Sequence, residues 1–195
     1  MNKFHIFVEG EADREFIIQF SKFLKENKEL DITLEKNNVS TLNGYSLNEA
    51  NAKNIKDKSH LKVILMVDAD KSFEDRVKYY AEKKVQHDIS FDLFLIPNNK
   101  EKGNAESIYE AITTRKDFWN CFDGYLKCIK DKGFQTTLSK SKIYAYSEAM
   151  RESVNNEHIN KQLDFLDKKI WDLGSEYLFP LKAKLQELTE FKIKD

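Results

Sequence analysis

The chain is poor in the residues that mark several classes of protein. Of its 195 residues only two are cysteine, two are proline and six are glycine. Small secreted domains held together by disulfides use far more cysteine, and flexible linkers between domains use more glycine, serine or proline. We therefore expect one folded unit of ordinary size, with at most one appended part.

The chain also has few arginines and almost no net charge. Only four of the 32 basic residues are arginine, and 33 acidic residues leave a formal charge of −1. This balance argues against a strongly cationic nucleic-acid binder, and the few arginines argue against phosphate recognition by guanidinium groups. With 41% hydrophobic and 12% aromatic residues, the chain has the composition of a folded protein and not of a disordered one.

Neither a membrane segment nor a zinc site is apparent. No apolar run approaches the roughly 20 residues of a membrane helix, and the apolar start of the chain is short and interrupted by Glu9 and Asp13, unlike a signal peptide. Cys121 and Cys128 lack the further cysteine or histidine pair that zinc requires. We expect both to be reduced thiols in the core of a cytoplasmic protein without a membrane partner.

Up to residue 103, apolar periodicity alternates between strand and helix, as in an α/β fold. The best-defined strand, Leu61–Val67, is almost continuously apolar, which is typical of a strand covered on both faces. This order predicts a Rossmann-like, mainly parallel sheet flanked by helices. The predicted strands are Lys3–Val8, one or two within Ile32–Leu42 before a turn at Asn43-Gly44, Leu61–Val67 and Phe91–Ile96, and the helices are Ala12–Lys28, Leu47–Lys58 and Phe73–Val85.

After Gly103 only helices are expected. We predict an α/β domain over residues 1–115 and a helical extension packed on it over residues 116–195, with a soft boundary. The last helix carries four leucines at helical spacing, which favours core packing over a dimer seam; a homodimer or a partner protein stays open. The predicted helices are Ala105–Ile112, Phe118–Lys130, Ile143–Asn155, Asn160–Asp172 and Glu176–Phe191.

Acidic residues follow the predicted strands at their carboxyl ends. Glu9 and Asp13 come after the first strand, Asp68 and Asp70 after LKVILMV, and Glu106 lies in the first turn of a helix. In an open parallel sheet these ends share one edge, where ligands bind. Asp68 and Asp70 are alternate residues, so on extended backbone their side chains would share a face.

Carboxylates held close together repel each other unless a cation neutralises them. Oxygen ligands of this kind suit hard divalent ions such as Mg²⁺ or Mn²⁺. Each acid also has an ordinary explanation, because acidic residues are favoured in the first turn of any helix and aspartate is a common cap. The combined set favours a metal site.

Two motifs together resemble a known family. The segments Phe7–Asp13 (FVEGEAD) and Met66–Asp70 (MVDAD) are similar to the TOPRIM domain of topoisomerases, primases, OLD-family nucleases and ribosomal-RNA maturation nucleases. The resemblance covers about residues 3–112 and is closest to the OLD-family nuclease type and to small stand-alone bacterial and archaeal proteins, which also show counterparts of Pro97 and of Gly103–Glu106 (GNAE).

The resemblance implies specific roles. Glu9 would bind metal or act as general acid or base, Asp68 and Asp70 would be metal ligands, and Asp13 and Glu106 would add further acids. Such a site could hold two ions about 3.5–4 Å apart, the geometry that supports phosphodiester cleavage. A downstream lysine serves the OLD-like site, for which the candidates are Lys140 and Lys142, with Lys142 taken as catalytic; a solvated lysine near a helix start is the alternative.

The resemblance therefore implies a Mg²⁺- or Mn²⁺-dependent nuclease whose partner is DNA or RNA. A topoisomerase or primase is not expected, because the chain lacks their additional domains. An ATPase is excluded because no Gly-x-x-x-x-Gly-Lys-Ser/Thr motif exists.

Two alternatives remain open. A haloacid-dehalogenase-like phosphatase would use Asp68 as nucleophile, and a sugar-nucleotide transferase would share the strand-then-acid pattern, but Glu9 and Asp13 would then be unexplained. A non-catalytic TOPRIM-like binding or regulatory module is motivated by the lack of an obvious basic track.

Overall fold

The computed structural model describes residues 4–44, 46–135, 139–150 and 163–190. Within these residues, four strands alternate with helices and a helical part follows. The strands are β1 (Phe4–Val8), β2 (Val39–Thr41), β3 (Lys62–Asp68) and β4 (Asp92–Ile96). The helices are α1 (Glu11–Glu26), α2 (Glu49–Asp57), α3 (Phe73–His87), α4 (Ala105–Ala111), α5 (Phe118–Asp131), α6 (Ser139–Met150) and α7 (Phe179–Glu190), which follows a 3₁₀ turn at Glu176–Leu178.

The four strands form one parallel sheet in the order β2-β1-β3-β4. Val8 pairs with Met66, and Asp68 pairs with Ile96. This register brings the carboxyl ends of β1, β3 and β4 to nearly the same level at one edge. The predicted α/β class, with a parallel sheet flanked by helices and a helical part at the carboxyl end, is confirmed.

Both faces of the sheet are covered. In β3, Ile64 and Met66 enter one apolar core together with α1, while Val63, Leu65 and Val67 enter a second core on the opposite face. This explains the unbroken apolar run that the sequence shows, since a central parallel strand has no solvent-exposed side.

The helical part shares the core of the sheet. Trp171 is buried in the same apolar cluster as β1 and α1, and so are the four leucines of the predicted last helix, which are 0–2% exposed. The first of them lies in the 3₁₀ turn and the other three lie in α7. The leucine stripe is therefore core packing, as predicted. The stripe consists of Leu178, Leu181, Leu185 and Leu188. The domain boundary at residue 115 stays a prediction.

One predicted helix is absent from the part of its range that the structure describes. Asn160–Asp172 is not helical over residues 163–172, where turns place Phe165 and Trp171 in the core. The carboxylate of Asp164 accepts the Leu166 N–H at 3.1 Å, and that of Asp167 accepts the Lys169 N–H at 2.9 Å. Such local bonds compete with the helical pattern. Residues 160–162 lie outside the described residues.

Other predicted bounds need smaller corrections. Within Ile32–Leu42 only Val39–Thr41 is a strand; residues 32–35 have no regular structure and residues 36–38 form a turn. Helix α6 begins at Ser139, four residues before the predicted start at Ile143, and residues 151–155 lie outside the described residues.

The prediction that both cysteines lie in the core is wrong. Cys121 and Cys128 are free thiols, as expected, but both are exposed. They lie on α5, where only Phe122 is buried, so the core takes up little of this helix.

His5 ties the edge strand to the sheet. Its Nε2 lies 2.9 Å from the Ser40 hydroxyl on β2. Burial, with a smaller contribution from the Lys58 charge, lowers the pKa of His5 to about 4, so the ring is neutral at physiological pH. No helix among the described residues is long and apolar enough to cross a membrane.

Candidate functional site

A cavity of about 250 Å³ lies where the carboxyl ends of β1 and β3 meet the starts of α1 and α4. Four of the five predicted acids line it, so the shared edge of the sheet does bring distant parts of the sequence together. The lining residues are Glu9, Gly10, Asp13, Asn43, Gly44, Asp68, Ala105, Glu106 and Lys140.

Glu9 links the two central strands at this edge. Its Oε1 accepts the backbone N–H of Asp68 at 3.1 Å, and its backbone carbonyl accepts the Gly44 N–H at 3.0 Å. The carboxylate is therefore held against β3 by a bond that occupies only one of its two oxygens.

Asp13 is fixed by the start of α1. Gly10 caps this helix with extended backbone, and its N–H donates to Asp13 Oδ2 at 2.9 Å. The bond orients the carboxylate of Asp13 toward the turn that leaves β1 and places it on the cavity wall. The usual helix-capping role explains the conformation of Asp13, and the same conformation adds an acid to the cavity.

Asp68 and Glu106 meet through the start of α4. The Ala105 N–H donates to Asp68 Oδ1 at 3.1 Å, and Asn104 caps the helix by accepting the Ser107 N–H at 3.2 Å. Glu106 follows in the first turn and is buried. The first N–H group of this helix thus supports the acid at the end of β3.

Burial and mutual repulsion make Glu9, Asp13 and Asp68 hard to ionise. Burial and then the charges of Glu9, Asp13 and Glu106 raise the pKa of Asp68 to about 8, although the Ala105 N–H opposes the shift. Burial also raises the pKa of Glu9 and that of Asp13, while Lys140 acts against both shifts. A bound cation would take the place of the protons that such a site holds.

Tyr109, on α4, lies beneath this group. It is buried, and its hydroxyl has no hydrogen-bond partner among the described residues. Burial and the nearby charges of Asp13, Glu106 and Asp68 raise the pKa of Tyr109 well above its usual value, so the hydroxyl stays protonated. Its position three residues after Glu106 is the only sequence signal that could have indicated it.

Asp70 points elsewhere. Its backbone is left-handed (φ 52°) and not extended as expected, and its N–H and carbonyl exchange hydrogen bonds with Gly103 at 2.7 and 2.9 Å. Its carboxylate forms an ion pair with Arg76 on α3. The expected shared face with Asp68 is wrong because this turn rotates the side chain away, and Asp70 does not line the cavity.

The two candidate lysines differ in position. Lys140, in the first turn of α6, lines the cavity. Lys142 pairs with Glu110 at 3.2 Å and lies over the Trp119 ring, 4.7 Å from its centroid. The structure therefore places the cation of Lys140, and not that of Lys142, beside the acids.

The chemistry of the donor set fits a hard divalent ion, but its geometry is not a finished coordination shell. Among the described residues, no group of three or more histidine, cysteine, aspartate or glutamate side chains is arranged to hold a metal ion. The hydrogen bonds to Glu9, Asp13 and Asp68 each use one carboxylate oxygen. Coordination would require these side chains to move closer together.

Comparison with known proteins places the chain in a family. No curated protein and no solved structure matches it. A family model matches residues 3–190, a range that includes both the sheet and the helical part. The chain belongs to the family described as "Protein of unknown function (DUF3226)".

Proposed function

We propose that this protein is a divalent-metal-dependent phosphodiester hydrolase that acts on nucleic acid. The observation that carries the proposal is the meeting of Glu9, Asp13, Asp68 and Glu106 around one cavity at the carboxyl edge of a parallel sheet. Burying several carboxylates together destabilises the fold, and proteins keep such an arrangement where function requires it. The resemblance of the two acidic motifs to the TOPRIM nucleases gives the reaction class.

Acids of this cavity would hold Mg²⁺ or Mn²⁺. When bound, the ion would polarise the phosphate and lower the pKa of a water molecule. Asp68 is best placed as the central ligand, because it lies at the end of β3, one of the two central strands, and is close enough to the other three acids to feel all their charges. The ion pair between Asp70 and Arg76 would have to open if Asp70 were to contribute.

The protein's own groups supply proton transfer and attraction. Burial raises the pKa of Glu9, which favours a role for this carboxylate as general base in place of a role as metal ligand. Lys140 is the cation that lines the cavity, and it would draw the phosphate toward an otherwise negative edge. The proposed nucleic-acid partner is therefore conditional on metal.

Incubation with plasmid DNA and with structured RNA, each with Mg²⁺ or Mn²⁺, tests the proposal. Asp68→Asn and Glu9→Gln keep the size of each side chain, and we expect each to reduce cleavage by about 100-fold or more. Asp92→Asn, at the opposite edge of the sheet, is the matched control and should retain cleavage.

The proposal fails if the wild-type protein cleaves neither nucleic acid, or if Asp68→Asn is as active as the wild type. Absence of ion binding in calorimetry would favour the non-catalytic module. Release of phosphate from a small phosphomonoester, abolished by Asp68→Asn, would favour a phosphatase instead.

A further inference from the structure

A second cavity, of about 380 Å³, is lined by apolar and aromatic side chains together with three charged ones, Glu11, Glu15 and Lys36. Ala12, Leu163 and Phe165 line it together with Tyr144, whose residue surface is 46% exposed. The volume lies within the range of about 300–1,000 Å³ that is usual for pockets of small organic ligands.

This cavity lies beside the acidic one. On α1, Ala12 lines the second cavity, and its neighbour Asp13 lines the acidic cavity. On α6, Tyr144 lines the second cavity and Lys140 the acidic one. Residues four apart on a helix lie on the same face, one turn apart, so the two cavities are neighbours in the cleft between the starts of α1 and α6.

The charges around the second cavity are balanced. Glu15 pairs with Lys36 at 3.4 Å, and Glu11 pairs with Arg14. Because each carboxylate has a cation as partner, the cavity neither attracts nor repels strongly charged groups. It suits a flat, uncharged ring that can stack on the face of Tyr144.

We propose that the second cavity binds an unpaired nucleobase next to the phosphate held at the acidic cavity. This inference rests on the proposed function and narrows its preferred substrate to single-stranded DNA or RNA, since a base paired inside a duplex must first be unpaired and unstacked, at an energetic cost, before it can enter a pocket. Stacking on aromatic side chains tolerates any base, so no sequence preference is expected from Tyr144.

The pocket can be tested without metal or phosphate. Adenosine and uridine are titrated in EDTA, and binding is followed by the NMR shifts of the Ala12 and Phe165 amides. We expect both nucleosides to bind. Tyr144→Ala should weaken binding about 5- to 150-fold, while Tyr144→Phe should preserve it, because the ring does the stacking. Tyr125→Ala removes an equally exposed tyrosine of α5 and is the matched control.

Cleavage of a single-stranded oligonucleotide and of its duplex is measured in parallel with Mg²⁺. If neither nucleoside binds, or if Tyr144→Ala binds as well as the wild type, the nucleobase pocket is wrong even where cleavage persists. If the nucleosides bind and no oligonucleotide is cleaved, the pocket stands and the hydrolase proposal fails. Equal cleavage of duplex and single strand would also overturn the proposal that the substrate is single-stranded DNA or RNA.

Discussion

At the scale of single residues, the acids of the cavity differ in what they reveal. The position of Asp13 is fully explained by capping of α1, since its carboxylate accepts the Gly10 N–H. Asp68 is different, because its neighbours are mostly other carboxylates and its pKa is raised to about 8. A residue that stabilises the fold would not be placed where ionisation is so unfavourable. Asp68 therefore carries more of the functional argument than Asp13.

Lys140 and Lys142 offer a matched pair of single-residue tests. Lys140→Ala removes the cation beside Glu9 and Asp13, so we expect cleavage to fall by about 100-fold with little loss of stability. Lys142→Ala removes an ion pair with Glu110 and a contact over Trp119, and should lower the free energy of unfolding by about 1 kcal/mol with cleavage nearly unchanged. Steady-state cleavage and urea unfolding measure the two effects.

The opposite pattern would contradict the placement of these lysines. Were Lys142→Ala inactive and Lys140→Ala as active as the wild type, the catalytic role that the sequence assigned to Lys142 would stand. The two residues are only two apart, so the sequence around them does not indicate which of them faces the acidic cavity. Their separation comes from the helical turn of α6, which begins at Ser139.

At the scale of elements, strong apolar periodicity predicts strands and helices well, whereas hydrogen bonds between side chains and the nearby backbone cannot be read from the sequence. The strand Lys62–Asp68 was predicted almost to the residue, because a buried parallel strand leaves an unbroken apolar run. The segment 163–172 has apolar residues at spacings that also suit a helix, but its aspartates bond to the backbone and favour turns. The helix α5 was predicted, but not that its cysteines face solvent.

The turn before α4 gives a prediction for one element. Gly103 has a φ of +146°, and a Cβ there would lie 3.0 Å from Pro97 Cδ and 3.0 Å from Ser107 Oγ. We expect Gly103→Ala to lower the free energy of unfolding by about 1–3 kcal/mol and to disturb the Ala105 N–H that supports Asp68. Gly124→Ala is the control: within α5 nothing lies within 4 Å of its Cβ, and alanine should stabilise by about 0.5–1 kcal/mol.

Urea denaturation of both variants decides the comparison. A Gly103→Ala protein as stable as the wild type would show that this turn tolerates a side chain and that the start of α4 is not held in place by glycine. A destabilised Gly124→Ala protein would show instead that α5 is packed more tightly than its exposed surface indicates.

At the scale of the whole molecule, the parallel sheet is what makes the site predictable. Glu9 and Asp68 are far apart in the sequence, but strands that all run the same way must end at one edge, so their meeting could be expected. Which of the two candidate lysines, Lys140 or Lys142, approaches the acids could not be expected, because the packing of α6 against this edge depends on contacts between distant residues. The rotation of Asp70 toward Arg76 likewise depends on a single left-handed residue.

The acidic cavity also gives the whole protein a distinctive pH dependence. The pKa of Asp68 is about 8 in the folded protein and about 3.8 in the unfolded chain, so the folded state holds more protons between these values. Its stabilising contribution is present below pH 3.8 and is lost as the pH rises through 8. His5 has the opposite sign, because its pKa is about 4 when folded and 6.5 when unfolded. Its contribution is lost as the pH falls through this lower window.

Between pH 6.5 and 8, therefore, Asp68 dominates, while His5 makes a small contribution of the opposite sign near pH 6.5, where it is half protonated in the unfolded chain. One group of this kind changes stability by about 1.4 kcal/mol per pH unit, so in EDTA the wild type should lose about 1 kcal/mol across this window. Asp68→Asn cannot ionise and should be more stable than the wild type at pH 8.

Mg²⁺ should raise the Tm of the wild type more at pH 8 than at pH 6.5, because the ion binds the ionised carboxylate, and it should have little effect on Asp68→Asn. Thermal unfolding followed by circular dichroism measures each of these differences. An Asp68→Asn protein with the stability and pH dependence of the wild type would contradict the prediction. It would mean that Asp68 is an ordinary ionised aspartate and that no proton is held at this edge for a metal ion to replace.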